Sequence, residues 1–145
     1  MIVPDVNLLL YAVDARSPQH DRARSWLEES LSGTATVAFG WSVILAFIRL
    51  VTNPRVFNDP LDASTAIAIV RGWLEQPNAI IADPTDRHLA LLGDLLEAAG
   101  TAGNLTSDAH LAALAIEHGA DLHSADNDFA RFAGLSWANP LAGSS

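Results

Sequence analysis

The sequence predicts an α/β fold: a small, mainly parallel sheet of four to five strands held between helices in a three-layer α/β/α arrangement. Three observations carry this. Short apolar, β-rich runs such as Ile2-Val3, Asn78-Ala79-Ile80-Ile81-Ala82 and Ala120-Asp121-Leu122-His123 alternate with stretches of ten or more residues whose apolar positions recur at helical spacing. Parallel neighbours need crossovers of that length, so the alternation implies βαβ units with helices on both sheet faces. Half of the 145 residues are apolar and none is cysteine, which suits one domain, residues 1–141, built on a hydrophobic core rather than on disulfides.

Ile2-Val3 reads as a buried strand and Leu8 to Val13 as the apolar start of a helix that Pro18 ends. From His20 to Leu31, Ala23, Trp26, Leu27 and Leu31 mark an amphipathic helix closing near Gly33. Thr34 to Phe39 alternates and predicts a second strand, closed by Gly40. Trp41 to Val51 is apolar nearly all round with Arg49 its only charge, which predicts a central helix buried on most sides and stopped by Asn53-Pro54. After the turn at Asn58 to Asp62, Ala66, Ile67, Val70, Trp73 and Leu74 mark another helix, and Asn78 to Ala82 a third strand. Asp86 to Ala99 is helical and ends at Gly100. Thr106 is placed as the cap of a helix running through Glu117. Ala120 to His123 is a fourth strand, Asp128 to Phe132 a helical turn and Leu135-Ser136-Trp137 a fifth strand, with residues 142–145 a frayed tail.

Composition removes several chemistries. Without cysteine there is no thiolate-held zinc or iron–sulfur cluster, so any metal must be held by oxygen or imidazole. All eight basic residues are arginine, which excludes the P-loop lysine, pyridoxal Schiff bases and lysine general bases. A net charge of −9 opposes broad binding to nucleic acid unless arginines cluster locally or a metal bridges the phosphates. No Lys or Arg precedes Arg16 and every apolar run is broken well short of a membrane span, so the chain reads as soluble and cytoplasmic.

Four aspartates stand where apolar runs break off: Asp5 after the first strand, Asp108 in the first turn of a helix, and Asp126 and Asp128 after the fourth strand. In an open parallel sheet, ligands bind beyond the carboxyl ends of the strands, so three separate segments can converge there. Carboxylates brought together repel unless a divalent cation sits among them. Taken singly each has a plainer reading: Asp5 as a helix N-cap, Asp108 as a partner of the helix dipole, Asp126 and Asp128 as caps of the next turn. Arg49, a cation in an apolar helix, needs a partner, either a carboxylate of the acidic pocket or a structural ion pair. No histidine pair has the spacing of a helical chelate, since His110 and His118 lie eight residues apart. Trp26, Trp41, Trp73 and Trp137 read as core or dimer contacts rather than base-stacking platforms.

Three segments in this order, Val3-Pro4-Asp5-Val6-Asn7-Leu8-Leu9, Leu105-Thr106-Ser107-Asp108-Ala109-His110 and Ser124-Ala125-Asp126-Asn127-Asp128-Phe129, resemble the PIN-domain ribonucleases, most closely the VapC toxins of toxin–antitoxin pairs. Phe47 to Phe57 looks like a mycobacterial-type branch of that family. The resemblance implies that Asp5, Asp108 and Asp126 are catalytic carboxylates holding Mg2+ or Mn2+, with Asp128 an additional acid. It further implies that Asn7 positions Asp5 or a water, that Thr106 or Ser107 hydrogen-bonds Asp108, and that RNA is the substrate, in a transfer RNA or ribosomal RNA loop. A cognate VapB-type antitoxin and a homodimer are implied too, with the Trp26 and Trp73 helices supplying candidate contact area.

One departure matters. Members of the family usually carry a glutamate in the central helix, and no acid lies between Thr34 and Asn58; Ala46 stands nearest the equivalent position. One carboxylate fewer predicts a single ion in the resting protein, or dependence on substrate phosphate for a second. It also keeps open a scaffold that has lost activity and serves as a binding module. A haloacid-dehalogenase-type phosphatase shares the opening aspartate but needs an acid where Asn7 stands and, usually, a later lysine.

Overall fold

In the computed structural model, which describes residues 1–142, five parallel strands run in the order β3-β2-β1-β4-β5. They are β1 (Ile2–Pro4), β2 (Val37–Gly40), β3 (Ala79–Ala82), β4 (Asp121–His123) and β5 (Trp137–Ala138). Six helices connect them: α1 (Val6–Val13), α2 (His20–Ser32), α3 (Trp41–Val51), α4 (Ala63–Leu74), α5 (His88–Ala99) and α6 (Thr106–Glu117). The arrangement is the expected three-layer α/β/α, and the sheet is parallel throughout. β1 is central, pairing Ile2 with Val37 of β2 on one side and with Asp121 of β4 on the other. Strand order reverses at β1, so a crevice opens beyond the carboxyl ends of β1 and β4.

Several boundaries differ from the sequence reading. The first helix stops at Val13, well before Pro18, because Asp14 turns extended while its N–H still bonds to Leu10 O. β2 begins at Val37 rather than Thr34, and all four of its residues are buried: between two parallel neighbours and under helices it has no solvent face to impose alternation. β5 is shorter and later than expected. A 3-10 turn at Gly103–Leu105 precedes α6, so Thr106 is the first helical residue and makes no capping bond. α3 is amphipathic rather than enclosed: Val43, Ile44, Phe47 and Val51 are buried, while Leu45 is 61% exposed and Arg49 is exposed. The tail expected at 142–145 lies, apart from Ala142, outside the described residues.

The core joins Val3 of β1, Leu8 and Leu9 of α1, Phe39 of β2, Phe47 of α3, Leu114 of α6 and Leu122 of β4, none more than 1% exposed. Trp73 is enclosed too, stacked on Phe39 and edge-on to Phe47, so the α4 tryptophan belongs to the core, while Ile67 of the same helix is exposed. Gly40 ends β2 where a side chain would meet Leu114: an added Cβ would lie 2.9 Å from Leu114 Cδ2. That close approach seats α6 against the start of α3. Gly100 closes α5 in the left-handed region at φ 73°, where a residue without Cβ is least strained.

Candidate active site

Asp5 leaves β1 and caps α1 in one step. Its backbone N–H bonds to His123 O at 2.9 Å, its Oδ1 accepts from the Val6 N–H at 2.7 Å, and its Oδ2 accepts from Ser124 Oγ at 2.6 Å. The cap reading is therefore correct, and it leaves the carboxylate at the sheet edge. Ser124 has no exposed surface and is the hub: besides donating to Asp5, its Oγ accepts from Asn7 Nδ2 at 3.2 Å and from the Asp126 N–H at 3.0 Å. Asn7 thus links to Asp5 through Ser124, and its Oδ1 also accepts from the Ala125 N–H. Trp137 Nε1 donates to Ser124 O, which pins the same corner from β5.

Sequence reasoning did not single out Ser124. The available signal was a small hydroxyl residue between a buried strand and the Asp126 turn, where an apolar side chain would leave those donors unsatisfied. Asp126 caps the 3-10 turn Asn127–Arg131 by accepting from the Asp128 N–H at 2.9 Å, and Asp128 itself is exposed.

Asp108 sits in the first turn of α6, half-buried. Among the described residues neither Thr106 nor Ser107 hydrogen-bonds it, contrary to expectation; both side chains are exposed, and Ser107 instead lines the cleft. Burial first, then the charges of Asp5, Asp126 and Asp128, raise the Asp108 carboxyl above the ordinary range, with Arg131 pulling the other way. Burial also raises Asp5, against the lowering effect of its bonds from Ser124 and Val6, and Asp126 adds a further upward push. The helix N-terminus expected to favour charge at Asp108 is outweighed by desolvation and three like charges.

Asp5 and Asp108 face one another across a cleft of about 430 Å3 between α1, α3 and α6, lined also by Val6, Ser42, Ala46 and Arg49. Ala46 of α3 therefore lines the same cleft as Asp5 and Asp108. Arg49 shares the cleft but makes no ion pair there: the bridges among the described residues are Arg16–Asp59, Arg24–Glu28 and His88–Glu117. No group of three or more His, Asp or Glu side chains among the described residues is already gathered to ligating distance. The donor chemistry nevertheless suits a hard divalent cation, because the donors are carboxylate oxygens whose mutual repulsion such an ion relieves.

A second polar cluster lies apart from the cleft. Glu117 of α6 accepts from His88 Nδ1 and from the Thr85 N–H, and His88 Nε2 meets His110 Nδ1 at 2.9 Å. It ties α5 to α6. His118 Nε2 instead reaches Asp83 O at 2.7 Å. Trp26 donates to His123 Nδ1, and Trp41 is 53% exposed.

Comparison with known proteins agrees with this architecture. The PIN domain family model matches residues 2–135. The chain is 46% identical to ribonuclease VapC33 of Mycobacterium tuberculosis over 97% of its own length and 99% of the relative's. It is likewise 46% identical to ribonuclease VapC37 of that organism, over 98% and 99%. Among solved structures, the Rickettsia felis VapBC2 complex bound to a DNA fragment from its promoter includes a chain that superposes with a TM-score of 0.70 at 22% identity, covering 96% of this chain and 98% of that one. At those identities a structural likeness speaks for the fold alone; the sequence relatives carry the assignment. The chain belongs to the PIN-domain family, among its VapC ribonucleases.

Proposed function

We propose that the protein is a metal-dependent endoribonuclease toxin that cuts RNA phosphodiester bonds in the Asp5–Asp108 cleft. The observation that carries this is Asp108: a half-buried carboxylate that accepts no hydrogen bond among the described residues and lies within the field of Asp5, Asp126 and Asp128. A fold that only needed a helix cap would not gather four acids from three segments at a destabilising cost. Asp5, Asp108 and Asp126 are the residues that would hold the ion, and Asp128 would add charge at the rim. When bound, Mg2+ or Mn2+ neutralises phosphate charge and acidifies water. The chain's own part is to hold the donors still: Ser124 fixes Asp5 Oδ2 and the Asp126 backbone together, and Asn7 holds Ser124. With Ala46 where an acid is usual, a single ion in the resting protein is the expected state.

VapBC complexes among the structural neighbours support a cognate antitoxin for this chain, and a net charge of −9 suits a basic antitoxin segment. A homodimer would draw on exposed apolar side chains such as Ile67 of α4 and Leu89 of α5, 41% and 79% exposed. No helix among the described residues is long and apolar enough to cross a membrane, which is compatible with action in the cytoplasm.

The test is RNA cleavage with Mg2+, with Mn2+ and with chelator, for the wild type, Asp5→Asn and Asp108→Asn. Losing a carboxylate that holds the ion should cost at least about a hundredfold in rate, since such charge stabilisation amounts to several kcal/mol. Cleavage that survives both substitutions would remove the site assignment. Ala46 in the cleft favours one second reading, a binding module, and that reading requires the wild type to bind RNA without cutting it under any metal condition.

A further inference from the structure

The α3 wall of the cleft carries one charge, Arg49, and its five donors are unspent. Among the described residues the guanidinium makes no ion pair or hydrogen bond, although carboxylates line the same cleft. Arg131 is the cation that lowers the Asp108 carboxyl, and among the described residues no ion pair joins Arg49 to the acids. Its position is well anchored. Thr52 Oγ1 donates to Ile48 O at 2.7 Å, Asn53 Oδ1 accepts from the Arg55 N–H, and Asn53 O accepts from the N–H groups of Val56 and Phe57. Leu61 N–H then bonds back to Val51 O. The Thr52-to-Phe57 segment thus stitches the end of α3 to the following loop, one turn from Arg49.

An exposed, unpaired arginine on a rigid helix, in a cleft otherwise acidic, suits a ligand that brings its own negative charge and passes the carboxylates. A single RNA strand would do so: with the phosphate being cut at Asp5 and Asp108, the adjoining one would fall on the Arg49 side of the same cleft. We propose that Arg49 holds the backbone phosphate next to the scissile one and so sets the register of the RNA strand in the cleft. Arginine fits this task because its planar fork can grip two phosphate oxygens at once. The proposal rests on the ribonuclease reading and deepens it.

The experiment measures binding of a short fluorescent single-stranded RNA by anisotropy, from low to moderate salt, in an Asp108→Asn background that does not cut. Arg49→Ala should weaken binding about tenfold at low salt and flatten the slope of log K against log salt by about 0.7, the share of one phosphate contact on a single strand. Arg49→Lys should recover the slope but not all of the affinity. Arg24→Ala, which alters an exposed pair with Glu28 on α2, should change neither. An unchanged slope in Arg49→Ala would overturn the proposal, as would weakened association with an antitoxin alongside unaltered RNA binding, which would mark Arg49 as a protein contact. Failure of the ribonuclease reading is separable: the wild type would then cut no RNA under any metal condition, or Asp108→Asn would cut as fast as wild type.

Discussion

Ser124 shows how much can depend on one hydroxyl. It is fully buried, donates to Asp5 and accepts from Asn7 and from the Asp126 N–H, so strand end, helix start and turn meet on a single oxygen. Ser124→Ala should leave a buried amide donor unsatisfied and free the Asp5 carboxylate to move. The expected outcome is a stability loss of about 1–3 kcal/mol by urea denaturation, together with slower cleavage. Ser124→Ala that cuts at the wild-type rate would show that Asp5 is positioned by its bond to Val6 alone. The sequence marked the four aspartates because charged residues rarely follow buried strands without reason. Ser124 escaped notice because a serine there is unremarkable until its three partners, distant in sequence, are seen together.

At the scale of elements, α3 and the α5–α6 pair make opposite contributions. α3 turns Ser42, Leu45, Ala46 and Arg49 toward the cleft, so its apolar sequence conceals a face that lines the candidate site. Ala46→Glu should place a fifth acid against Asp5 and Asp108. The metal-free variant should melt lower than the wild type, and titration calorimetry should show tighter Mn2+ binding; equal affinity would mean that Ala46 is too far from the ion. The α5–α6 contact, by contrast, rests on the buried Glu117 carboxylate. Burial would raise its pKa, but bonds from Thr85 and His88 outweigh burial and hold it low. Glu117→Ala should therefore speed hydrogen exchange in the first turn of α5 by about tenfold while leaving β1 protected, because local opening costs less than global unfolding. Exchange rising equally in β1 would show that the pair opens only when the whole domain does.

For the whole molecule, the site carboxylates set a pH dependence of known sign. Asp5 and Asp108 hold their protons to higher pH in the folded state than in the unfolded one. Between the ordinary carboxylate value, about pH 4, and the raised values, the folded state binds more protons, so stability falls as pH rises through that window. Glu117 and His110 are both shifted down and act the other way, losing stability as pH falls. Comparing wild type with Asp108→Asn isolates the site: the variant should melt higher by about 2 °C at pH 7, a sub-kilocalorie effect after solvent screening, with the gap closing toward pH 4. Saturating Mn2+ should raise the wild-type Tm and narrow the gap at pH 7. A gap that does not vary with pH would show that the acids do not repel one another in the metal-free fold.

The sequence by itself determined the α/β alternation, the acids at strand ends and helix starts, the absence of a central-helix carboxylate and the family. Each of these is local, written in residue type and spacing within a few turns of chain. Only the tertiary structure decided that β1 lies at the centre of the sheet beside β4, which brings Asp5 and Ser124 together across 119 positions. It likewise decided that α3 presents Ala46 and Arg49 to the cleft, that Trp73 is core, and that Thr106 does not cap α6. Those outcomes depend on which elements pack side by side, and burial and repulsion between distant residues arise only once the sheet has assembled.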